Sequence, residues 1–395
     1  MVTDDHDFID PAPWITAKPQ ARKGRGAVTN IAGRYETQLI ETVDDGWQPY
    51  EDDTDIHPEL KTFVTPEIAK TILSRNQSPD IPFSVSLNPY RGCEHGCIYC
   101  FARPTHTYLG LSPGLDFETR LYAKTNAAEL LRRELAHKNY EPSPIAFGVN
   151  TDAYQPCERE LKITRQCLEV FHECDHPVGM ITKSALIERD IDLLQDMAKK
   201  NLAAAAITIT TLDHNISRIL EPRAASPTRR LQTIERLVKA GIPTMVSVAP
   251  IIPFITEQEI EKVLSAAADA GATAAGYTVL RLPWEINPLF QEWLQTHFPE
   301  RAERVMNRIR DMRGGKDYDA DFATRMRGEG LWADMIRQRF MKGLKRYGLN
   351  KSRRYGELDC SRFRKPLSIP VKENRNGQMD IFGNPPPNPP LKKGA

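Results

Sequence analysis

The chain has 395 residues, with 53 Lys and Arg against 52 Asp and Glu, and 40% of its residues are hydrophobic. That length allows one large domain with appendages, or two domains, and the balance is that of an ordinary globular chain with no global charge signature of a nucleic-acid binder. The longest apolar run, around Ala203–Ile209, is strand-sized and argues against a membrane span. The acidic start MVTDDHDFID lacks the apolar core of a secretory signal, so a cytoplasmic protein is expected.

Residues 1–60 carry 13 Asp and Glu against 5 Lys and Arg, are rich in Pro and Gly, and show no sustained apolar period. They are expected to be largely disordered. From about Pro82 the pattern changes to short apolar runs at Phe83–Leu87, Ile145–Val149, Val178–Thr182, Ala203–Thr210, Pro243–Val248 and Ala274–Leu280. Between them lie helical signals. Asn126 with Glu129 predicts a helix start running to Lys138. Ile163, Cys167, Val170 and Cys174 share one face of a second helix, and Ile191, Leu194 and Met197 mark a third. Ser226-Pro227 opens a fourth that closes near Gly241, and Thr256 with Glu259 opens a fifth that closes at Gly271. Six strands alternating with five helices imply parallel βαβ units, in a barrel or a doubly wound sheet. After Pro283 the strands stop. Residues 285–313 and 321–347 predict helices, and the end, NPPPNPPLKKGA, is of a disordered composition.

Seven cysteines occur, and three of them, Cys93, Cys97 and Cys100, crowd into the segment NPYRGCEHGCIYCFARP after the first strand. In a reducing compartment this suggests metal binding rather than a disulfide framework. Thiolates suit soft metals and iron–sulfur clusters. Three cysteines on a [4Fe–4S] cube leave one iron free for a small molecule, and Gly92 and Gly96 give the loop freedom to wrap. Tyr99 would set an aromatic ring beside the open iron. The competing reading is zinc with His95 or His106 as fourth ligand. Of the other cysteines, Cys167 and Cys174 read as core residues and Cys360 has no partner.

The Cys-x3-Cys-x-aromatic-Cys pattern, on a loop after the first strand of a (β/α) domain, resembles the radical S-adenosylmethionine (radical SAM) signature. The surrounding NPYRGCEHGCIYC, with NTDAYQPCERELKITR, TKSALIERDIDLL, TTLD and EPRAASPTRRL, resembles the branch grouped with spore photoproduct lyase and called DNA-repair-photolyase-like. The resemblance runs from about Arg25 to Phe363. It implies a partial (β/α)6 barrel of TIM type over residues 61–283, with a cluster loop at 89–104 and a helical basic extension at 284–365. It implies a [4Fe–4S] cluster on Cys93, Cys97 and Cys100, and S-adenosylmethionine (SAM) cleaved to a 5′-deoxyadenosyl radical. An electron donor such as flavodoxin or ferredoxin follows from that chemistry.

In barrels of this type the site lies at the C-terminal strand ends, which here are polar. Asn150-Thr151-Asp152 follows the second strand, Lys183-Ser184 the third, Thr210-Thr211-Leu212-Asp213 the fourth, and Arg281 the sixth. The resemblance makes Asp152 a candidate for the SAM amino group, although TDAYQP stands where a Gly-Gly-Glu-like triplet is usual and a loop-capping Asp is the alternative. Lys183 or Arg223 could pair with the SAM carboxylate. Cys157 is a candidate hydrogen donor to a substrate radical, or else a packing residue at a helix start.

Residues 301–376 carry 21 Lys and Arg against 10 Asp and Glu, a basic stretch that could face phosphates or simply be solvated. The tail 366–395 contains Gln378, Met379, Asp380, Ile381 and Phe382, which resembles the peptide that docks bacterial DNA-maintenance proteins on the sliding clamp. Three functions stay open. They are a radical SAM enzyme repairing or modifying nucleic acid, one acting on a protein or small molecule, and a non-catalytic iron–sulfur binding module recruited to the clamp. Anaerobically reconstituted protein should carry about four irons per chain, and Cys97→Ala should lose most of that iron while the barrel stays folded. Stoichiometric zinc without labile sulfide in anaerobically purified protein would contradict the cluster reading.

Overall fold

A computed structural model describes residues 21–35, 60–350 and 357–366. Among the described residues ten strands form two sheets. In chain order they are β1 (Phe63–Glu67), β2 (Leu73–Arg75), β3 (Val85–Leu87), β4 (Tyr90–Arg91), β5 (Arg120–Lys124) and β6 (Ile145–Phe147), then β7 (Val178–Thr182), β8 (Ala203–Thr208), β9 (Thr244–Ile251) and β10 (Ala274–Val279). The larger sheet has the order β10-β9-β8-β7-β6-β3-β2. Its pairs from β3 to β10 are all parallel, and β2 is added antiparallel beside β3. These six parallel strands coincide with the six apolar runs of the sequence. Among the described residues no strand follows β10, so the ring stays open as a partial barrel. Its strands β3, β6, β7 and β8 are buried on both faces, as parallel strands covered by helices are. Ile145, Phe147, Val178, Met180 and Ile207, for example, are fully buried.

The helices are α1 (Leu115–Thr119), α2 (Ala127–Leu135), α3 (Glu158–Leu161), α4 (Ile163–Glu173), α5 (Ile191–Lys199) and α6 (His214–Leu220), then α7 (Pro227–Lys239), α8 (Ile260–Asp269), α9 (Ile286–His297), α10 (Pro299–Asp311) and α11 (Gly330–Tyr347). Ser226 caps α7 as its sequence suggests, accepting from Arg229 N at 3.4 Å. Asn126 does not cap α2. Its amide instead makes a two-way bond to the backbone of Ala69, at 3.0 Å each way, and ties the helix to the segment before β2. Thr256 likewise spends its hydroxyl on Ile252 N at 2.9 Å. A capping pattern in the sequence cannot show that a tertiary partner will claim the side chain first.

Three further expectations change. Residues 21–35 pack on the barrel rather than lying free, with Arg25, Ala27 and Val28 buried, while the rest of 1–59 lies outside the described residues. The helix expected over 285–313 is two, broken where Pro299 opens α10, because a proline ring cannot continue an α-helix through its interior. The helix expected from 321 begins only at Gly330. A small sheet with the order β1-β5-β4, unread in the sequence, braces the segment that carries the cysteines. No described helix is long and apolar enough to cross a membrane.

The α11 helix rests on α8 through Gly343, where an added Cβ would come within 2.5 Å of Leu264 Cδ1. Gly343→Leu should therefore cost about 1–3 kcal/mol by overpacking, read as a lowered denaturant midpoint. An unchanged midpoint would show that α11 does not pack there.

Candidate active site: a clamped cysteine loop at the barrel mouth

The loop after β3 is held from below by a buried ion pair. Arg103 and Glu118 have no exposed side-chain surface and meet at 2.5 Å. Arg103 Nε donates to Cys97 O at 2.9 Å, Nη2 to Gly96 O at 3.1 Å, and Nη1 to Pro113 O and Gly114 O at 3.0 and 2.9 Å. All five guanidinium donors are thus engaged. Glu118 accepts in turn from Gly26 N at 3.0 Å and Ala27 N at 2.8 Å. Gly26 has to be glycine, since a Cβ there would lie 1.8 Å from Gly96 O. Gly96 itself has φ 67°, and a Cβ on it would meet Glu118 Oε2 at 2.7 Å. The stretch around Gly26 and Ala27 is therefore one wall of the cysteine loop.

Cys93 and Cys97 are buried, Cys100 is half-buried, and all three are free. Burial pushes the Cys97 thiol up to about 12 and the Cys93 thiol well up, with the neighbouring thiols adding to both. A hydrogen bond from the Asp152 backbone to Cys93 opposes this. Among the described residues no three His, Cys, Asp or Glu side chains close up as the ligands of a single ion. Each histidine considered as a fourth ligand has one ring nitrogen beside another group. His95 Nδ1 lies 3.3 Å from Asp152 Oδ2. His106 Nε2 bonds Arg120 O at 2.9 Å, and burial brings its pKa down to about 4. Three thiols gathered on one desolvated loop fit a thiolate-ligated cluster, whose positive irons would favour the deprotonated form.

The other strand ends converge on this loop. Asp152, after β6, accepts from Thr182 Oγ1 at 2.7 Å, Tyr154 N at 2.9 Å and Lys183 N at 2.8 Å. Burial works against its carboxylate, but His95 and these donors outweigh that and hold the carboxyl well below the usual range. These bonds are of the kind a loop-capping Asp makes, one of the two roles read from the sequence. Asp152 joins the β6 and β7 exits to the cysteine loop. The Lys183 ammonium stands 5.8 Å from the centre of the Tyr99 ring. Its burial disfavours the charge, yet the neighbouring Cys97, Glu221 and Asp152 keep its pKa raised. The Tyr99 hydroxyl donates to Glu221, and Glu221 is buried against Arg230 and accepts from Thr210 Oγ1 at 2.6 Å.

Arg223 is placed at the loop, donating its N–H to His95 O at 3.3 Å, and its guanidinium pairs with Glu94 at 3.2 Å. Cys157 is half-buried before α3, and burial, with Glu94 and Glu158 nearby, pushes its thiol up to about 12. The structure thus gathers Tyr99, Asp152 and Lys183 directly at the cysteines, with Arg223 and Cys157 on the Glu94 side of the loop. Sequence reasoning missed Arg103, Glu118, Glu221 and Arg230. Each is a charged residue whose buried partner lies across a loop or turn that no periodicity reports, and only the presence of Glu221 and Arg230 inside EPRAASPTRRL gave any signal.

Arg103→Met should leave Glu118 buried without its cation and cost about 3–5 kcal/mol of stability. The Arg103→Met/Glu118→Leu pair should cost less than Arg103→Met alone, measured by chemical denaturation. A loss in the pair equal to the sum of the Arg103→Met and Glu118→Leu losses would mean that the two are not coupled.

Comparison with known proteins follows the same lines. Residues 87–267 match the Radical SAM superfamily model. An uncharacterized protein of Mycobacterium tuberculosis is 34% identical over 226 residues, covering 57% of this chain and 66% of that protein. The chain thus spans about two thirds of the length of the mycobacterial relatives it matches. A Radical SAM Nalpha-GlyT isomerase of Pseudomonas phage M6 is 24% identical over 236 residues, 59% of this chain and 47% of that one. Among solved structures, spore photoproduct lyase aligns with a TM-score of 0.48 at 15% identity, over 72% of this chain and 79% of that chain. With its three cysteines clamped at the open mouth of the parallel sheet, the chain carries a radical SAM domain over residues 87–267.

Proposed function

We propose that the protein is a radical SAM enzyme acting on nucleic acid. The observation that carries the first half is the convergence of Cys93, Cys97 and Cys100 with Tyr99 and Lys183 at one barrel mouth. When bound there, a [4Fe–4S] cluster and SAM supply hydrogen abstraction through a 5′-deoxyadenosyl radical. The protein's own residues divide the remaining tasks. Arg103 and Glu118 fix the loop, and Asp152 fixes the strand exits beside it. Lys183 offers a cation for the SAM carboxylate, with Arg223 as a second, Glu94-paired candidate. Cys157 keeps its proton near neutral pH, as a hydrogen-atom donor must, and stays the candidate for that role.

The nucleic-acid half draws on the resemblance to the DNA-repair-photolyase-like branch and on the basic residues 301–376. Gln378–Phe382, which lie outside the described residues, would recruit the protein to a sliding clamp, a reading that sequence similarity alone supports. Titrating clamp against the wild-type chain and the Ile381→Ala/Phe382→Ala variant tests it, with binding expected only for the first.

The decisive assay is anaerobic reconstitution followed by SAM cleavage with and without DNA and RNA. Cleavage stimulated by one nucleic acid is expected. Cleavage indifferent to both would contradict the substrate class, and no cleavage with an intact cluster would contradict the enzyme. Lys183→Met should weaken SAM binding by about tenfold or more, as loss of a charge-assisted contact does, while iron content stays at the wild-type level. Unchanged affinity, measured by anaerobic calorimetry, would remove Lys183 from the site.

A further inference from the structure

The barrel mouth carries large aromatic surfaces that the cysteine site does not use. Phe101, the residue after the third cysteine, is 47% exposed, and Tyr35, Tyr108 and Trp284 are 54%, 65% and 62% exposed. They are not scattered. Tyr35 and Tyr108 stack with centres 5.1 Å apart. The Arg34 guanidinium lies 5.5 Å from the Tyr35 ring and 4.3 Å from the Trp284 ring, so the four side chains form one row. Trp284 closely follows Arg281, whose guanidinium is 6.0 Å from Phe101. Phe101 directly follows Cys100, and the short step from Arg281 to Trp284 ties the row to the same exit of the sheet.

Two details set this rim apart from ordinary surface. Trp284 has φ 49°, a backbone conformation that bulky L residues rarely adopt, and it holds a large ring out in solvent. Arg281 is poorly served by the protein. Its Nε is buried without an acceptor, Nη1 finds only the Met326 sulfur at 3.6 Å, and Nη2 finds the Tyr318 hydroxyl at 3.3 Å. The nearby carboxylate of Asp80 is taken by Arg325 in two bonds of 2.6 and 2.7 Å. Among the described residues Arg281 forms no ion pair. Arg34, by contrast, is neutralised by Glu285 at 2.6 Å and contributes a flat face rather than a net charge.

We propose that this rim binds unstacked nucleotides, with a backbone phosphate on Arg281 and bases on Phe101, Trp284 and the Tyr35–Tyr108 stack. The proposal rests on the nucleic-acid reading above and deepens it. The reacting nucleotide enters the mouth single-stranded or turned out of a duplex. Aromatic faces with interspersed arginine suit bases because every base has a π-face. An under-served guanidinium suits the phosphate that accompanies each base, and a peptide carries no such regular anion.

The test uses the full-length, reconstituted protein and a fluorescein-labelled mixed-sequence DNA strand about ten nucleotides long, free and as a duplex. The single strand should bind more tightly than the duplex. Phe101→Ala and Trp284→Ala should each weaken it about fivefold or more. Arg281→Met should reduce the salt slope by about one phosphate contact. Melting curves check folding, and Tyr108→Ala, fully on the surface row, replaces any variant that melts early. Duplex preference, or rim variants that bind like wild type, would overturn the rim and leave the nucleic-acid reading standing. Failure of the wild type to bind either DNA form or the matching RNA strand would overturn both.

Discussion

A guanidinium and a carboxylate sealed beneath the cysteine loop set the geometry on which the site depends. Two charges without exposed surface lose their hydration, and the loss is recovered only when the remaining donors and acceptors are matched. Arg103 and Glu118 meet that condition by binding the carbonyls of Gly96, Cys97, Pro113 and Gly114 and the amides of Gly26 and Ala27. The pair thereby converts a flexible glycine-bearing loop into a fixed platform for three thiols. It also explains why the segment around Gly26 is ordered although its composition resembles a solvated tail.

The parallel sheet does the complementary work from the other side. Each strand from β3 to β10 releases its polar residues at the same end, so Asp152, Lys183, Thr210 and Arg281 reach one mouth although they are distant in the chain. Asp152 links two of these exits, those of β6 and β7, through hydrogen bonds to Thr182, Lys183 and Tyr154, with His95 beside it. Glu221, buried with Arg230, orients the Tyr99 hydroxyl below Lys183. Buried charge pairs thus serve position rather than net stability, which in such pairs is small.

Much of this was legible in the sequence, and the reasons are physical. Apolar runs of strand length, separated by amphipathic helices, leave few alternatives to parallel βαβ units, and the six runs became six parallel strands. The cysteine spacing is local and needs no tertiary information. What escaped was tertiary by nature. Asn126 carries a helix-cap pattern yet bonds Ala69, and Arg103 and Glu118 look like surface charges until the loop closes over them. The sheet formed by β1, β4 and β5 depends on pairings of residues as distant as Phe63 with Arg120 and Tyr90 with Ala123, which no periodicity reports. The role of Asp152 was ambiguous for the same reason, since a cap and a ligand contact present one residue type.

The central claim is that the clamped loop holds a [4Fe–4S] cluster with one iron left open to SAM. Electron paramagnetic resonance of the reduced, reconstituted protein reads that iron directly. Adding SAM should change the signal of the reduced cluster, because a new ligand alters the environment of one of its irons. A cluster signal that is the same with and without saturating SAM would contradict the account.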